Sequence, residues 1–184
     1  QVYLPLQLTT HYLPLTKNMK TILITGATSG FGKAIAYKFA QHGYQLILNG
    51  RREERLRAIE TELKEQYGAK VVTLAFDVSD KEAAKNAIQS LPHDFKKIDV
   101  LVNNAGLAAG LSTIQEGNTD DWDLMIDTNV KGLLYVSRLI MPLMIANGSG
   151  HIINISSIAG KEVYPKGNVY CATKFAVDAI TKSM

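Results

Sequence analysis

The sequence predicts an α/β protein in which helices flank a parallel, doubly wound sheet. Short apolar runs rich in β-branched residues alternate along the chain with longer segments of helical periodicity. The connections between them are short, and no repeat or linker interrupts the alternation. At 184 residues the chain is long enough for one domain with a sizeable core.

The first predicted strand and helix enclose a glycine-rich turn. An apolar run at 21–24 predicts a buried strand, and the periodicity over 33–42 predicts a helix. Glycines between a strand and a helix let the backbone approach a pyrophosphate, and the helix N-terminus supplies free N–H groups with a partial positive charge. This context favours dinucleotide binding in a Rossmann-type fold over a purely structural turn. The candidate cofactor-binding residues of the turn are Gly26, Ala27, Thr28, Ser29, Gly30, Phe31 and Gly32.

The second strand, predicted over 44–48, is followed by two arginines. An Asn-Gly pair and then Arg51 and Arg52 come after it, with no acidic residue. An acid at this point holds the ribose 2′-hydroxyl of NAD, whereas an arginine accommodates the 2′-phosphate of NADP. We therefore predict that Arg51 and Arg52 bind NADP(H). Alternatively, both only solvate the following helix over 53–67.

Three further apolar runs predict the rest of the sheet, and each ends in polar or small residues. The predicted elements are strands over 70–76, 99–102 and 152–155, with a helix over 80–91 capped by Ser79 or Asp80. Ligands of such sheets bind beyond the carboxyl ends of the strands. The residues that follow the strands are therefore added as cofactor-binding candidates: Asp77, Val78, Asn104, Ala105 and Gly106.

A long apolar segment over 120–146 predicts a single helix. It is apolar on more than one side, which predicts burial against both the sheet and a partner chain. Pro142 should kink or loosen it. Asn129 lies among apolar residues, and a buried polar side chain needs a hydrogen-bond partner.

The last predicted helix opens at Asn168 and carries a tyrosine and a lysine four residues apart. Tyr170 and Lys174 therefore lie one above the other on one helical face. A phenol has an ordinary pKa of about 10, and a fixed ammonium nearby lowers that pKa by favouring the phenolate. The pair either donates and accepts a proton near neutral pH or is a chance pair on a solvated face. The other motifs favour the first interpretation.

The composition is that of an ordinary globular protein and excludes several classes of function. The formal net charge of +3 is too small to indicate nucleic-acid binding. The single cysteine, Cys171, excludes an internal disulfide and a cysteine metal site, and it is compatible with a reducing, cytoplasmic location. We predict no metal site. The most apolar region, 132–146, is interrupted by Arg138 and Pro142 and is too short to span a membrane.

Residues 1–18 differ from the rest of the chain. They are apolar and rich in threonine, contain two prolines, and lack the basic start of a signal peptide. We expect an extension that is poorly ordered, with Met19 as the natural start and a single domain over 19–184.

Together these motifs resemble the short-chain dehydrogenase/reductase family, in the branch with a Tyr-x-x-x-Lys active site. They occur in the family's order, from the glycine turn to Lys174. The resemblance implies that Tyr170 is the general acid/base and binds the substrate. It also implies that Lys174 lowers the pKa of Tyr170 and holds the nicotinamide ribose of the cofactor. Asn129 would hold a water in a proton relay. Ser157 would hydrogen-bond the substrate oxygen. Ser156 is the competing serine, and the gap of thirteen residues to Tyr170 favours Ser157.

Within this family, four segments look like those of NADP-dependent 3-hydroxy acid dehydrogenases: 50–56, 103–110, 121–129 and 167–170. This resemblance implies NADP(H) as cofactor and short 3-hydroxy acids, such as L-serine and L-allo-threonine, as substrates. A 3-oxoacyl or general carbonyl reductase is the alternative enzyme. A nucleotide-binding or assembly fragment without activity is the alternative of another class.

The resemblance also carries expectations about assembly and length. Members of the family form homodimers or homotetramers, for which the helices at 120–146 and 168–184 are the candidates. Members are also longer, so we expect this domain to lack its C-terminal strands, either as a truncated product or as an incomplete sequence. The implied partner is a small hydroxy or oxo acid, with no nucleic acid and no membrane.

Overall fold

The computed structural model describes residues 19–184, so the expectation for 1–18 lies outside the described residues. Within the described part, five strands and six α-helices form an α/β fold, which confirms the fold class predicted from the sequence. The elements are β1 (Thr21–Ile24), α1 (Gly30–Gln41), β2 (Gln45–Gly50), α2 (Glu53–Tyr67), β3 (Val71–Ala75), α3 (Lys81–Gln89), β4 (Val100–Asn103), α4 (Thr119–Ile126), α5 (Leu133–Ala146), β5 (His151–Asn154) and α6 (Asn168–Ser183). Short 3₁₀ turns cover His93–Phe95, Ile114–Glu116 and Ile158–Gly160.

The five strands are all parallel and lie in the order β3-β2-β1-β4-β5. The chain moves outward from β1 to β3 on one side and from β4 to β5 on the other, so the winding direction reverses between β1 and β4. Loops that leave these two strands run in opposite directions and open a crevice at the carboxyl edge of the sheet. Ile24 of β1 is level with Val102 of β4, so the loops after both strands start side by side.

The sheet divides the core into two apolar layers. Leu23, Ile47 and Leu101 pack with α3 and α5 on one side. Ile22 and Leu46, each one residue earlier in the same strands, pack with α1 and α2 on the other. Because successive strand residues point to opposite faces and both faces are covered, these strands are unbroken apolar runs rather than alternating patterns.

β2 extends two residues farther than the apolar pattern predicts, through Asn49 to Gly50, and both residues pair with β3. Asn49 is buried, and its side-chain amide donates to the carbonyls of Leu74 and Phe76 at 3.1 and 3.0 Å. A Cβ on Gly50 would lie 2.7 Å from Thr28 Cγ2. Glycine therefore lets the glycine turn pack against the end of this strand.

The predicted helix over 120–146 is present as one 28-residue helix, Thr119–Ala146. α4 and α5 are its two ends, and the segment Asp127–Gly132 between them is π-helical. α5 runs through Pro142, so the kink or loosening expected there stays a prediction, and the change from α- to π-helical winding lies in the segment Asp127–Gly132. A Cβ on Gly132 would lie 2.6 Å from Val78 Cγ2, so the π segment ends in close contact with the strand-end loop.

By length and composition alone this long helix could cross a membrane, since an 18-residue window of it has a mean hydropathy of 1.2. One face of it packs in the core, and 39% of that window is buried. Val136, Ile140 and Met144 are buried in the layer between α5 and the sheet. Because a buried core helix meets the same criterion of length and composition, we interpret it as a core element.

Candidate active site

A cleft of about 880 Å³ opens at the carboxyl edge of the sheet, where the winding direction reverses. Its walls come from the ends of all five strands, the glycine turn and the start of α6. This volume lies within the range of about 300–1,000 Å³ that is usual for ligand sites. The sequence-predicted residues that line it are Gly26, Thr28, Ser29, Gly30, Phe31, Arg51, Arg52, Asp77, Val78, Asn104, Ala105, Gly106, Ser157, Tyr170 and Lys174.

Three other predicted site residues lie behind the cleft wall. Ala27 is fully buried, and its N–H donates to the Asn49 carbonyl at 2.8 Å. Gly32 is buried where any Cβ would meet the carbonyl oxygen of Gly26. Asn129 is buried in the π segment. These residues support the backbone of the site rather than forming its surface.

The glycine turn is held against the loop that follows β4. Thr25 Oγ1 accepts hydrogen bonds from the N–H groups of Asn104 and Ala105, both at 3.0 Å. The Asn104 side chain donates to the carbonyls of Thr25 and Gly26 at 2.8 and 3.2 Å. A Cβ on Gly26 would lie 2.9 Å from Ala105 Cα, so glycine is required for this close approach.

The N-terminus of α1 lies in the wall of the cleft. The helix begins at Gly30, and its N-cap Ser29 makes no side-chain capping hydrogen bond. The first-turn N–H groups are therefore available to a ligand, and the helix dipole adds a partial positive charge. Gly26 and Gly30 adopt φ angles of +65° and +54° in this turn. The turn thus has the backbone shape and the charge to hold a pyrophosphate.

The two arginines after β2 make different contacts. Arg52 Nη2 donates to Thr28 Oγ1 at 2.7 Å and to Ser29 Oγ at 3.3 Å, so its guanidinium lies over the glycine turn. Arg51 Nη1 donates to Asp77 Oδ2 at 3.3 Å. The sequence pattern predicts the same role for both arginines. In the structure, Arg52 lies at the glycine turn and Arg51 lies at the carboxylate after β3.

Asp77 is held as a carboxylate by its hydrogen bonds. Its Oδ1 accepts from the N–H of Ser79 at 3.0 Å and from the hydroxyl of Ser79 at 2.8 Å. Burial raises the pKa of Asp77, but these hydrogen bonds and the Arg51 guanidinium outweigh burial and leave the pKa below its ordinary value. Asp77 is therefore an ionised acceptor in the cleft wall at neutral pH.

Asn129 clamps the loop after β4. Its Oδ1 accepts from the Leu107 N–H and its Nδ2 donates to the Leu107 carbonyl, each at 2.8 Å. Nδ2 also donates to Thr173 Oγ1 of α6 at 3.1 Å. The buried Asn129 amide thus has the hydrogen-bond partners that the sequence analysis predicts for it. Both of its N–H groups donate to other residues of the protein.

Tyr170 and Lys174 lie on one face of α6, as their spacing predicts, with Lys174 Nζ 5.9 Å from the centre of the Tyr170 ring. Lys174 is only 7% exposed, and its Nζ donates to the Ile155 carbonyl at 3.0 Å. Burial of the ammonium lowers the pKa of Lys174 below its ordinary value. A Cβ on Gly106 would lie 3.5 Å from Lys174 Nζ, an ordinary van der Waals contact, so Gly106 lies next to the ammonium.

Ser156 and Ser157 both follow β5 but have different partners. Ser156 Oγ donates to the Lys174 carbonyl at 3.3 Å and so attaches the strand end to α6. Ser157 Oγ accepts from the Ala159 N–H at 3.1 Å and caps a 3₁₀ turn. Within residues 19–184 the Ser157 hydroxyl proton has no acceptor, so this serine can donate to a substrate oxygen.

A smaller pocket adjoins the cleft at Tyr170 and contains residues that the sequence patterns did not indicate. It is formed by the loop after β4, the start of α4 and the turn before α6. Its charged lining residues are Asp121 and Lys166. Thr128, which lines the main cleft and has a buried hydroxyl without a partner among residues 19–184, was also not indicated. No local pattern marks these residues, because the tertiary fold brings them to the site.

Comparison with known proteins supports a family assignment. Residues 20–184 match the model of the short chain dehydrogenase family. The chain is 49% identical over 153 residues to an NADP-dependent 3-hydroxy acid dehydrogenase, YdfG, of Salmonella typhi, which covers 83% of this chain and 60% of that protein. The crystal structure of serine dehydrogenase from Escherichia coli matches with a TM-score of 0.82 at 44% identity, over 89% of this chain and 74% of that chain. A closed form of serine dehydrogenase complexed with NADP+ matches with a TM-score of 0.83 at 44% identity, over 89% and 64%.

The chain spans about 60% of the length of the curated relatives it matches. The family match nevertheless runs from the start of β1 through the glycine turn to the helix that carries Tyr170 and Lys174. The order of the motifs and the parallel sheet agree with that match. The chain therefore belongs to the short-chain dehydrogenase family.

Proposed function

We propose that residues 19–184 form the cofactor-binding and catalytic part of an NADP(H)-dependent oxidoreductase that acts on the C3 hydroxyl of a short 3-hydroxy acid. The observation that carries this proposal is a single cleft that combines three features. They are an uncapped helix N-terminus behind a glycine turn, an arginine over that turn, and the Tyr170–Lys174 pair. Relatives named as NADP-dependent 3-hydroxy acid and serine dehydrogenases support it.

The residues that line the cleft would contact NADP(H) from its adenine to its nicotinamide ribose. Backbone N–H groups between Gly26 and Gly32 would hold the pyrophosphate, and Arg52 together with Arg51 would hold the 2′-phosphate. Asp77 and Val78 would border the adenine, and the segment 104–106 would border the adjoining ribose. When bound, the nicotinamide supplies hydride transfer, and the protein supplies orientation and electrostatics.

Tyr170 would move the proton of the reaction. Its phenolate accepts the proton of the substrate hydroxyl during oxidation, and its phenol donates the proton during carbonyl reduction. The buried Lys174 would hold the nicotinamide ribose, while the Ser157 hydroxyl would orient the substrate oxygen. By the family resemblance Asn129 would hold a water of the proton relay, while its amide N–H groups are used by Leu107 and Thr173.

The proposed substrates are 3-hydroxy acids of the L-serine or L-allo-threonine type. The segments 50–56, 103–110, 121–129 and 167–170 support this class, as do the names of the relatives. A 3-oxoacyl or general carbonyl reductase is the alternative enzyme. Rates of hydride transfer with L-serine and with a 3-oxoacyl thioester distinguish the two, since a faster reaction with the thioester would favour the alternative.

We also propose that the chain pairs with copies of itself through α4, α5 and α6. Leu124, Ile126, Leu134 and Phe175 on these helices are 40, 39, 41 and 41% exposed. Burial of such apolar side chains against a second copy would stabilise a homodimer or homotetramer. The expected location is the cytoplasm, where the single cysteine, Cys171, stays reduced.

The variant Tyr170→Phe tests the proposed function, because it removes one hydroxyl and keeps the ring. We expect it to abolish hydride transfer while NADPH binding persists. Tyr135→Phe, on α5 and outside the lining of the cleft, is the matched control and should keep both properties. Hydride transfer by Tyr170→Phe at the wild-type rate would contradict the proposal. A wild-type chain that binds NADPH but transfers no hydride to or from any hydroxy or oxo acid would favour the fragment without activity.

A further inference from the structure

The loop after β4 is attached to α6 at two points, one on each side of Tyr170. The first attachment is Asn168, two residues before Tyr170, whose Nδ2 donates to the Ser112 carbonyl at 2.8 Å. The other end of the same amide, Oδ1, accepts from the Val169 N–H at 2.7 Å. This side chain therefore ties the first turn of α6 to the far end of the loop.

The second attachment is the hydroxyl of Thr173, three residues after Tyr170. Thr173 is 2% exposed, and its Oγ1 donates to the Tyr170 carbonyl at 2.8 Å and accepts from Asn129 Nδ2 at 3.1 Å. A hydroxyl has one proton, so the bond to the Tyr170 carbonyl leaves its lone pairs available to Asn129. Because the Asn129 amide also holds the N–H and the carbonyl of Leu107, the hydroxyl connects the loop to the helical turn that carries Tyr170.

The stretch of loop between the two attachments lies between the cleft and Tyr170. Residues 107 and 108 line the cleft. Residues 109–112 and Tyr170 line a separate space of about 20 Å³, which has room for about one water. The loop is thus packed closely against the helix, so a shift at either attachment would move the cleft wall relative to the phenol.

A second threonine of α6 makes the same pair of contacts outside the lining of the cleft. Thr181 Oγ1 donates to the Val177 carbonyl at 2.6 Å and accepts from Asn154 Nδ2 at 2.9 Å. Threonines in helices commonly bond a carbonyl three or four residues earlier, so the carbonyl bond of Thr173 alone does not indicate a role in a reaction. What distinguishes Thr173 is its connection to the cleft wall through the Asn129 amide.

We propose that Thr173 and Asn168 are positioning residues for the reaction at Tyr170. They hold the loop 107–112 at a fixed distance from the phenol, so that a substrate and a cofactor bound against the cleft wall meet Tyr170 in a reactive geometry. A misplacement of about 1 Å in such a site can slow a reaction by about a hundredfold. Neither side chain touches the reacting atoms, and the inference rests on the proposed function.

A purely structural role for the two residues makes a different prediction. Loss of a side chain that only stabilises the fold lowers the fraction of molecules that are folded and active, and it leaves the rate constant of each active molecule unchanged. A single-turnover measurement separates the two roles. Its amplitude reports the active fraction, and its rate constant reports hydride transfer.

The experiment measures a single turnover of the cofactor-saturated protein with L-serine or a 3-oxoacyl thioester, whichever the wild-type protein converts faster. Hydrogen exchange at the Leu107 N–H is measured on the same variants. Thr173→Val keeps the shape of the side chain and removes the hydroxyl, so it should lower the rate constant by roughly ten- to a hundredfold and speed exchange at Leu107 by roughly tenfold. Thr173→Ser keeps the hydroxyl and should restore both values. The matched control, Thr181→Val, should change neither.

Asn168→Ala tests the other attachment without opening the core, because Asn168 is half-buried. It should lower the rate constant of hydride transfer by roughly tenfold and leave exchange at Leu107 unchanged, since the Asn129 clamp is intact. If Thr173→Val does not fold, the rate constant of Asn168→Ala decides the matter.

Wild-type rate constants in Thr173→Val and Asn168→Ala, with or without lower amplitudes, would overturn the inference and leave the proposed function intact. The same holds if Thr181→Val slows hydride transfer as much as Thr173→Val does. A wild-type protein that binds NADPH but transfers no hydride with either substrate would overturn the proposed function and this inference with it.

Discussion

Replacing Arg52 with alanine should weaken the binding of NADPH and leave the binding of NADH nearly unchanged. Arg52 is the arginine whose guanidinium lies over the glycine turn, where it donates to Thr28 and Ser29. A 2′-phosphate bound there would accept charge-assisted hydrogen bonds from the same guanidinium. Because NADH lacks this phosphate, the loss should fall on NADPH alone.

The expected loss follows from the exposure of each arginine. A hydrogen bond to a charged group contributes about 1.5–3 kcal/mol, and an exposed ion pair about 0–1 kcal/mol. Arg52 is exposed, but hydrogen bonds to two hydroxyls hold its guanidinium in place. We therefore expect Arg52→Ala to lose about 1–2 kcal/mol of NADPH binding free energy, which is a roughly five- to thirtyfold rise in the NADPH dissociation constant. Arg51→Ala should change that constant less than about fivefold, because the Arg51 side chain is 64% exposed and paired with Asp77.

Calorimetric titration with each cofactor measures both dissociation constants. Arg55→Ala is the matched control, because it removes the same charge from an exposed position of α2 outside the cleft. The control should alter neither constant. Equal weakening of NADPH and NADH by Arg52→Ala, or a larger effect from Arg51→Ala, would refute the division of roles between the two arginines.

Three further predictions concern the catalytic end of the cleft. Ser157→Ala should lower the rate of hydride transfer by roughly a hundredfold, because the substrate oxygen loses one hydrogen-bond donor. The control Ser156→Ala should mainly lower the melting temperature. Similar rates of hydride transfer in the two variants would contradict this difference. Asn129→Ala should lower the free energy of unfolding in urea by about 1–3 kcal/mol, because the partly buried N–H and carbonyl of Leu107 lose their partner, and a loss below about 0.5 kcal/mol would argue against the clamp. Burial lowers the pKa of Lys174 below its ordinary value of 10.5. At a pH just below 10.5 the unfolded chain therefore binds more protons than the folded chain. The stability of the wild-type protein should therefore rise relative to Lys174→Met as the pH increases from neutral toward 10.5, and a flat or falling difference in urea denaturation would contradict this.

Local patterns were sufficient to predict the fold and most of the cleft. The strand, the glycine turn and the helix that begins at Gly30 are consecutive, so their hydrophobic periodicity and backbone requirements are visible in the sequence. The carboxyl ends of parallel strands share one edge, so the sequence pattern assigns Asp77 and Asn104 to the same cleft, which both of them line. The four-residue spacing of Tyr170 and Lys174 similarly determines that they share a helical face.

The features that the sequence did not predict depend on contacts between distant segments. Asn129 reaches Leu107 and Thr173, which are 22 and 44 residues away along the chain, and it lies in a π segment that no local pattern indicated. The different partners of Arg51 and Arg52 follow from where Asp77 and the glycine turn lie in space.

Lys166 shows the same limit of local patterns. Its positive φ is invisible in a Pro-Lys-Gly segment, and its neighbour in the pocket, Asp121, is 45 residues earlier in the chain.

The most direct test of cofactor binding in this cleft is a calorimetric titration of the 184-residue chain with NADPH and, separately, with NADH. We predict saturable binding of NADPH that is tighter than the binding of NADH, because the glycine turn, the N-terminus of α1 and Arg52 all lie within the described residues. Absence of binding to either cofactor, or tighter binding of NADH, would contradict the claim that this cleft holds NADP(H).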